Sequence, residues 1–578
     1  MEAGEAMEAG EAMEAGEAME AGDGSTADVV RSMDSMSATR STSSTKVMGR
    51  AEDSGSGTPQ PRRDRGRAAL SGVLAVAVAL GAAELVAALV PGAHSLVIEV
   101  GDLVIDSVPG WLERAAIATL GRADKPALLT CILLVCGALG AVLGVVALRR
   151  LALAVAGFVA AGVLGFAAAL ADSEALALPM LLAAVAGVAA GIGALMVLLR
   201  AARKAEVGDR VAGETRRSES SLDRRGFLRT ALGAAALAVI GGVGAQLLAG
   251  RRRLGQLRAA VSIPPPAEPA PPAPPGASLD ITGLTPLYVP NEDFYRIDTA
   301  LRVPQVDPTG WSLRVDGMVE QPFTLTYDEL LSLPHIEADI TLSCVSNEVG
   351  GGLVGNARWQ GVPLHVLLDR AGVQKGATQI LGRSVDGFTA GFPTITALDV
   401  RESMVAVAMN GEPLPAVHGF PARLVVPGLY GYVSATKWLS SIELTTFELV
   451  QGYWIPRGWA REGPVKTQSR IDVPSRAATV VAGRTPIAGV AWAPTRGIER
   501  VEVRIDDGPW TQADLAAPLD VDSWRQWVLP WDATPGRHTI SVRATDGAGQ
   551  TQTAERTPVA PDGATGHHTI SVDVQPAA

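Results

Sequence analysis

Among the residues able to do covalent or metal chemistry, one thiol stands alone in the water-soluble part of this chain. Cys344 lies in Thr341-Leu-Ser-Cys344-Val-Ser-Asn347-Glu-Val-Gly-Gly-Gly352, after an apolar run with strand character (Ile340 to Leu342) and before a glycine-rich loop. A thiolate at a strand end, facing backbone that allows close approach, can offer one soft ligand to a bulky metal-bearing group. Taken alone, a small buried cysteine also serves as packing, so the surrounding residues have to decide. The other two cysteines, Cys131 and Cys136, fall in a long apolar stretch, which leaves the soluble part without an intramolecular disulfide. There is no CxxCH, no CxxC pair and no Cys/His zinc spacing, which argues against c-type haem, iron–sulfur and structural zinc. No βαβ regularity that would carry a dinucleotide phosphate loop is present either.

The elements that must position this thiol divide the 578 residues in two. Before residue 290 the chain is rich in Ala, Val, Leu and Gly with one tryptophan, Trp111; the other ten tryptophans lie beyond it in a mixed globular composition. The net charge of −11 draws on seven glutamates in Met1 to Gly22, a MEAGEA repeat with no periodic apolar face. Residues 1–67 therefore read as low-complexity and disordered, and the folded part is only mildly acidic. Nothing in the charge pattern suggests nucleic acid. Four apolar runs, Ala68 to Val90, Ala127 to Leu148, Leu151 to Ala171 and Leu178 to Leu199, each approach the ~20 residues that cross a bilayer, which assigns 68–200 to four transmembrane helices in membrane lipid. Arginines before the first run, Arg149 and Arg150 between the second and third, and Arg200, Arg203 and Lys204 after the fourth share one side, with Asp172 and Glu174 on the other. The positive-inside rule then places the N-terminus in the cytoplasm. Between the first two runs an amphipathic piece, Leu96 to Leu112, belongs to an outer-side loop.

Residues 201–260 form a cytoplasmic segment that continues into Ser221-Leu-Asp-Arg224-Arg225-Gly-Phe-Leu-Arg229 and an apolar run, Ala231 to Ala249. Paired arginines, Phe-Leu and a moderately hydrophobic stretch resemble a twin-arginine export signal, here retained as a fifth transmembrane helix that leads outward. Arg251 to Arg253 just beyond it run against the charge rule. Residues 261–279 are a Pro-rich linker, with eight prolines between Ile263 and Gly276, expected to be an extended spacer that lifts the soluble half off the membrane. Over 280–474, short strand and helix patterns alternate: Trp311 to Gly317 as a strand, Thr326 to Leu331 as a capped helix start, Pro363 to Ala371 as an amphipathic helix and Arg423 to Val426 as a buried strand. The class is α+β. Residues 475–578 carry alternating strands, Gly483 to Val490, Ile498 to Ile505 and His538 to Arg543, with Asp-Gly turns, the pattern of an immunoglobulin-like β-sandwich. The expected architecture is thus multi-domain: an N-terminal all-α transmembrane bundle, an α+β domain and a C-terminal sandwich.

Five stretches in order, Thr341 to Asn347, Asn356-Ala-Arg-Trp359-Gln-Gly361-Val-Pro-Leu364, Met409-Asn-Gly-Glu-Pro-Leu-Pro415, His418-Gly-Phe-Pro-Ala-Arg423 and Lys437-Trp-Leu439, resemble the molybdenum-cofactor domain of the sulfite oxidase family. Phe294-Tyr295-Arg296 looks like that domain's opening loop. The resemblance implies a Mo-molybdopterin cofactor with one pterin, and Cys344 as the single protein thiolate on molybdenum. It carries cofactor-binding roles onto Phe294, Tyr295, Arg296, Asn347, Asp386, His418, Arg423, Ala435, Thr436 and Lys437. In that role Arg423 and Lys437 would supply charge for a phosphate, His418 a donor and Asp386 an acceptor for pterin N–H groups. Gly497 to Arg504, with the nearby Asp-Gly and Trp510, looks like the family's C-terminal dimerisation domain, so a homodimer is one option.

The chain also departs from the family. Where sulfite-oxidising members place an arginine after the cysteine, Asn347 is followed by Glu348 and Val349, and the family's catalytic tyrosine has no evident counterpart. Near that point stand Tyr453, Arg457, Trp459 and Arg461, with Lys466 and Arg470 beyond. These cations either give a substrate funnel its basic character or lie on a solvated face. Three functions are compatible with these residues. One is a two-electron oxygen-atom-transfer oxidoreductase of sulfite-oxidase type, outside the cytoplasmic membrane, acting on a small oxyanion or oxide and using a separate cytochrome or quinone-linked electron carrier. The second is an S- or N-oxide reductase with the same cofactor; the third is a cofactor-free membrane sensor or scaffold.

Overall fold

The longest apolar runs in this chain fold as helices, which pair backbone N–H and C=O groups within the segment. The computed structural model describes residues 61–90, 92–109, 112, 119, 124–170, 176–211, 220–248, 251–399, 401–476 and 478–577. The acidic repeat and the Ser/Thr-rich stretch lie outside the described residues. The helices are α1 (Pro61–Leu89), α2 (Leu96–Ser107), α3 (Asp124–Ala147), α4 (Leu151–Ala169), α5 (Ala177–Val211), α6 (Ser220–Leu248) and α7 (Arg251–Ala260). Among the described residues four stretches, Arg65–Leu89, Lys125–Ala147, Leu151–Ala169 and Ala177–Lys204, are long and apolar enough to cross a membrane; α6 holds a shorter apolar piece, Gly226–Gly242. Large apolar side chains such as Leu134, Val142, Val163, Leu182 and Leu237 point outward, as a lipid-facing surface requires. Small residues line the contacts between helices. A Cβ on Gly72 of α1 would strike the backbone of Gly140 on α3, and one on Gly81 would come within 2.9 Å of the Ala238 carbonyl on α6. Gly187 and Gly191 of α5 face Ala83 and Ala79, so α5 runs antiparallel to α1, while α6 runs parallel to it. The 149–150 turn and the start of α6 thus share one end of the bundle, and α2 and the head of α3 share the other.

After the helices, period-two alternation makes β1 (Ser312–Gly317), exposed and buried by turns. After β2 (Phe323–Thr326), Thr326 and Glu329 close a capping box that starts the helix Tyr327–Ser332. Apolar runs give β3 (Ile336–Ser343), β4 (Val354–Pro363), β5 (Gln379–Ser384), β6 (Thr389–Pro393) and β7 (Met404–Met409), then β8 (Glu412–Pro413), β9 (Arg423–Val425) and β10 (Leu439–Thr445). Two five-stranded sheets result, ordered β2-β1-β10-β5-β6 and β3-β4-β7-β8, with β9 pairing β7 in the second. One core joins them, with Trp359, Phe392, Phe420 and Leu424 almost fully buried. The helices between strands are short, so the domain is β-rich.

Toward the C-terminus β11 (Gln468–Val473), β12 (Thr479–Val481), β13 (Gly483–Trp492), β14 (Ile498–Ile505), β15 (Thr511–Gln512), β16 (Asp514–Leu515), β17 (Arg525–Ala533), β18 (Gly536–Asp546) and β19 (His568–Gln575) build sheets ordered β11-β13-β17-β16 and β12-β19-β18-β14-β15. Both contribute to a second core around Trp527, Val501 and Ile540. This unit is bolted to its neighbour: Trp524 Nε1 donates to the Leu287 carbonyl at 2.9 Å, and Ser523 Oγ to the Asp339 carbonyl at 2.7 Å. The first core itself takes in Val490, Trp492 and Trp524, so packing crosses residue 474.

The Pro-rich stretch does not stand clear as a spacer. Its backbone lies along β3, with Ala267 N donating to the His335 carbonyl at 2.8 Å and Glu337 N donating to the Glu268 carbonyl at 2.9 Å. Proline removes N–H donors but leaves every carbonyl, and Gln360 Nε2 (2.7 Å to Pro264 O) and an Arg358 nitrogen (2.9 Å to Pro271 O) use them.

His568 braces the cysteine loop from the second unit. Its ring fills the space that a side chain on Gly350 (φ +78°) would need, and its Nδ1 accepts from Ile471 N at 3.0 Å. Burial lowers its pKa to about 4. An unfolded histidine titrates near 6.5, so between about 6.5 and 4 the unfolded chain binds the extra proton and the stability this neutral ring contributes is lost as pH falls. Other groups oppose the trend, since burial raises Asp522 to about 6 and Glu402 to about 7. The useful quantity is therefore a difference between chains. In denaturant titrations at several pH values, His568→Gln should be less stable than wild type at pH 7, with a deficit that shrinks by about 2 kcal/mol at pH 4 after discounting for partial exposure.

Candidate active site

Strand β3 delivers Cys344 to the rim of its sheet and a turn folds back over it. Cys344 N donates to the Leu353 carbonyl at 2.9 Å, Asn347 N to the Cys344 carbonyl at 3.0 Å, and Leu353 N to Asn347 Oδ1 at 2.8 Å. Asn347 is thus the brace of the loop, and the exposed Glu348 contributes its carbonyl to the same turn at 2.8 Å from Gly351 N. The thiol is 7% exposed. Burial pushes its pKa up, while hydrogen bonds from Ser346 and the charge of Lys437 work the other way. Burial likewise raises the Tyr295 phenol; the charge of Cys344 adds to this and Arg423 opposes it, which places all three side chains in one electrostatic neighbourhood.

The opening loop is held by aromatic packing. Phe294 stacks on Tyr295 (centroids 5.2 Å apart) and meets Trp359 and His418 edge-on at 5.8 and 5.5 Å. A Cβ on Gly355 would come 2.7 Å from the Phe294 ring, so β4 must carry glycine there. His418 is 2% exposed, its pKa lowered by burial to about 4, and its Nε2–H donates to the Asn291 carbonyl at 2.8 Å. It is a neutral donor that ties this loop to the turn Ala416–His418 ahead of β9.

Arg423, on β9, is only 5% exposed. Its nitrogens donate to the carbonyls of His418 (3.2 Å) and Leu424 (3.4 Å), and the guanidinium lies 5.0 Å from the Trp359 ring centre. Among the described residues no carboxylate pairs with it, and burial lowers its pKa to about 10. Lys437, also buried, lies beside it across Gly419, whose φ of +109° and close contacts with both residues exclude a side chain. Its Nζ donates to Asp298 Oδ2 at 2.7 Å, and burial lowers its pKa to about 8 against the pull of that carboxylate. Burial works against ionisation of Asp298, yet Lys437, Arg296 and Lys125 outweigh it and hold the carboxyl well below its usual range. Arg296 reaches the same carboxylate at 2.8 Å.

Of the remaining expected residues, Thr436 is fully buried with an Oγ1 that has no partner, Ala435 precedes it on the same turn, and Asp386 stands at the exposed tip between β5 and β6. Surrounding protein pushes the Asp386 carboxyl up, and Asp298 adds to the shift. The expected funnel group is not drawn into this network. Arg457 lies 3.6 Å over the Tyr453 ring, Arg461 is exposed 3.9 Å from Glu448, and Trp459 packs between Tyr432 and Trp454 with a buried, unpartnered Nε1. Arg470 is committed to Asp472 (2.6 Å) and the Gly351 carbonyl (2.9 Å). Sequence reading missed Asp298 and Lys125. Asp298 offered a weak signal, an acid two residues after Arg296; Lys125, 173 residues away, offered none.

Three cations thus converge on one buried carboxylate, with Arg423 close by and a second carboxylate on the rim, beside one thiol and an unpartnered hydroxyl. Such an excess of buried positive charge suits a group bearing a phosphate and its own sulfurs. Among the described residues no cluster of three or more His, Cys, Asp or Glu could itself hold a metal ion. Residues 300–454 match the family described as "Oxidoreductase molybdopterin binding domain". An uncharacterized oxidoreductase of Bacillus subtilis, YuiH, is 36% identical over 157 residues, which are 27% of this chain and 76% of that protein. Human mitochondrial sulfite oxidase is 30% identical over 306 residues, 45% of this chain and 56% of that enzyme. The chain belongs to the sulfite oxidase family. Residues 300–454 are thus a molybdopterin-binding oxidoreductase domain, and the cofactor that this family membership implies is Mo-molybdopterin. It spans about half the length of the sulfite oxidases it matches, 56% of the human and 53% of the rat protein. Among solved structures, the sulfane dehydrogenase SoxCD of Paracoccus pantotrophus aligns at a TM-score of 0.44 with 25% identity, covering 50% of this chain and 84% of that one.

Proposed function

We propose that this chain is a membrane-anchored oxidoreductase of sulfite-oxidase type, with its cofactor held in the site around Cys344 and its catalytic part outside the cytoplasmic membrane. The observation that carries the reading is Arg423, a buried guanidinium with no carboxylate among the described residues, beside a lone buried thiol. When bound, the molybdenum cofactor supplies two-electron oxygen-atom transfer with a small oxyanion or oxide. Cys344 anchors the metal as thiolate. Arg423 and Lys437 hold the phosphate, with Thr436 Oγ1 and the backbone of Phe294 to Arg296 and Ala435 to Lys437 as further donors. His418 stays neutral and fixes the opening loop, Asn347 fixes the cysteine turn, and Asp386 accepts from pterin N–H groups at the rim. The phenol of Tyr295 keeps its proton and can donate beside the sulfur.

The outward orientation rests on charge. The end of the bundle with Arg149, Arg150 and the twin-arginine-like start of α6 is the cytoplasmic one by the positive-inside rule, and the cofactor domain contacts the opposite end through Lys125. On that reading α6 is a fifth, retained span. On this reading electrons pass to or from a separate cytochrome or quinone-linked carrier. The C-terminal unit is an immunoglobulin-like sandwich of the dimerisation type, here also a brace for the cysteine loop. Arg457 and Arg461 fit the solvated face better than a funnel.

One observation favours the reverse direction of electron flow. Between Cys344 and Leu353 the chain carries no cation, and Glu348 is exposed, so this loop gives an incoming dianion such as sulfite nothing to bind. An S- or N-oxide, being neutral, needs no such partner. Full-length protein in detergent should contain about one molybdenum per chain by elemental analysis. Sulfite-dependent ferricyanide reduction would establish oxidation, and sulfoxide-dependent oxidation of a reduced dye would establish reduction. Molybdenum-free preparations from molybdenum-replete cells would refute both and leave a sensor or scaffold.

A further inference from the structure

Lys125 links the helical bundle to the Asp298 network. Lys125, in the first turn of α3, sends its Nζ to the Asp298 carbonyl (2.6 Å), Asp298 Oδ1 (3.0 Å) and the Ala300 carbonyl (2.7 Å). All three acceptors lie within six residues of Phe294, on the loop proposed to grip the cofactor. The other oxygen of Asp298 takes Lys437 at 2.7 Å and Arg296 at 2.8 Å. The Asp298 side chain is 4% exposed and Lys437 10%, while Lys125 (27%) and Arg296 (40%) reach toward solvent. Next along the loop, Leu301 abuts Gly101 of α2, where a Cβ would come 2.7 Å from its Cδ1, with Ile132 of α3 also near.

Resting on the cofactor reading, we propose that Lys125 is a positioning residue for the molybdenum cofactor, which makes the bundle a working part of the site as well as an anchor. Its ammonium caps two loop carbonyls that would otherwise lack this donor, and it fixes the Asp298 carboxylate from the side opposite Lys437. Without it Asp298 is free to turn toward Arg296 and draw the Lys437 head group with it, away from where a phosphate needs charge. Arg258 of α7 makes a separate bundle contact, to Glu412 Oε2 at 2.8 Å and the Pro413 carbonyl at 2.8 Å, which involves none of these residues. It serves as the control for docking in general.

The test compares full-length wild type, Lys125→Met, Lys125→Arg and Arg258→Met in detergent. It measures molybdenum per chain, the rate of molybdenum release on warming, and the paramagnetic resonance spectrum of the one-electron-reduced metal. Lys125→Met should release molybdenum about tenfold faster, since Asp298 keeps two of its three cationic partners, and should show an altered spectrum. Lys125→Arg should recover most of both, and Arg258→Met should match wild type. Wild-type release and spectrum in Lys125→Met, or equally fast release from Arg258→Met, would overturn the proposal while leaving the cofactor reading intact. Wild type devoid of molybdenum would overturn both.

Discussion

Replacing Arg423 by methionine should make the cofactor-free protein as stable as wild type or more so, while abolishing cofactor loading. The two effects have opposite signs because the guanidinium is buried for a ligand. In the protein alone it faces two carbonyls and the face of Trp359, with no carboxylate among the described residues, and burial lowers its pKa to about 10. Exchanging a poorly compensated buried charge for an apolar side chain of similar length is neutral or stabilising by about 1–4 kcal/mol, less the lost hydrogen bonds and ring contact. With a phosphate present the balance reverses, since a charge-assisted contact in a dry site contributes about 2–4 kcal/mol, a factor of about 30 to 1,000 in affinity. Denaturation midpoints of protein from molybdate-starved cells, beside molybdenum content of protein from replete cells, give both signs in one experiment. A marked destabilisation of the cofactor-free variant would mean that Arg423 is a structural residue whose partners are the carbonyls themselves.

Cys344→Ser is expected to remove turnover by at least about a hundredfold, beyond what loss of a group supporting a metal ligand costs, and to remove the metal–thiolate absorption with it. The fold should tolerate the change. Serine is close in size, Ser346 already hydrogen-bonds at this position, and the turn is held by backbone and Asn347 contacts that the sulfur does not make. Unchanged melting with lost absorption therefore reports on the metal and not on packing. Some molybdenum should remain bound, because Arg423, Lys437 and the opening loop grip the pterin independently of the sulfur. Full activity with serine would show that the thiol only packs.

Much of this molecule was written in local patterns. The long apolar helices were legible because a bilayer demands ~20 apolar residues in a row, and the strands and the capping box of Thr326 because their periods and spacings are properties of neighbours in the chain. The cofactor roles expected around Cys344 came from the resemblance alone, and no periodicity would have supplied them. What folding alone settled is which charges meet. Asp298 gathers Lys125, Arg296 and Lys437 from three parts of the chain, and the energetics of the site depend on that meeting. Arg457 and Arg461 looked equally well suited to a basic funnel, yet their own segment claims them through Tyr453, Phe447 and Glu448. The proline run read as a free spacer because composition reports stiffness and says nothing of which donors the unused carbonyls will find. Residue types and spacing determine what chemistry a side chain can do and which element carries it. The partner that tunes its charge is set by long-range packing, which brings together groups that no local rule relates.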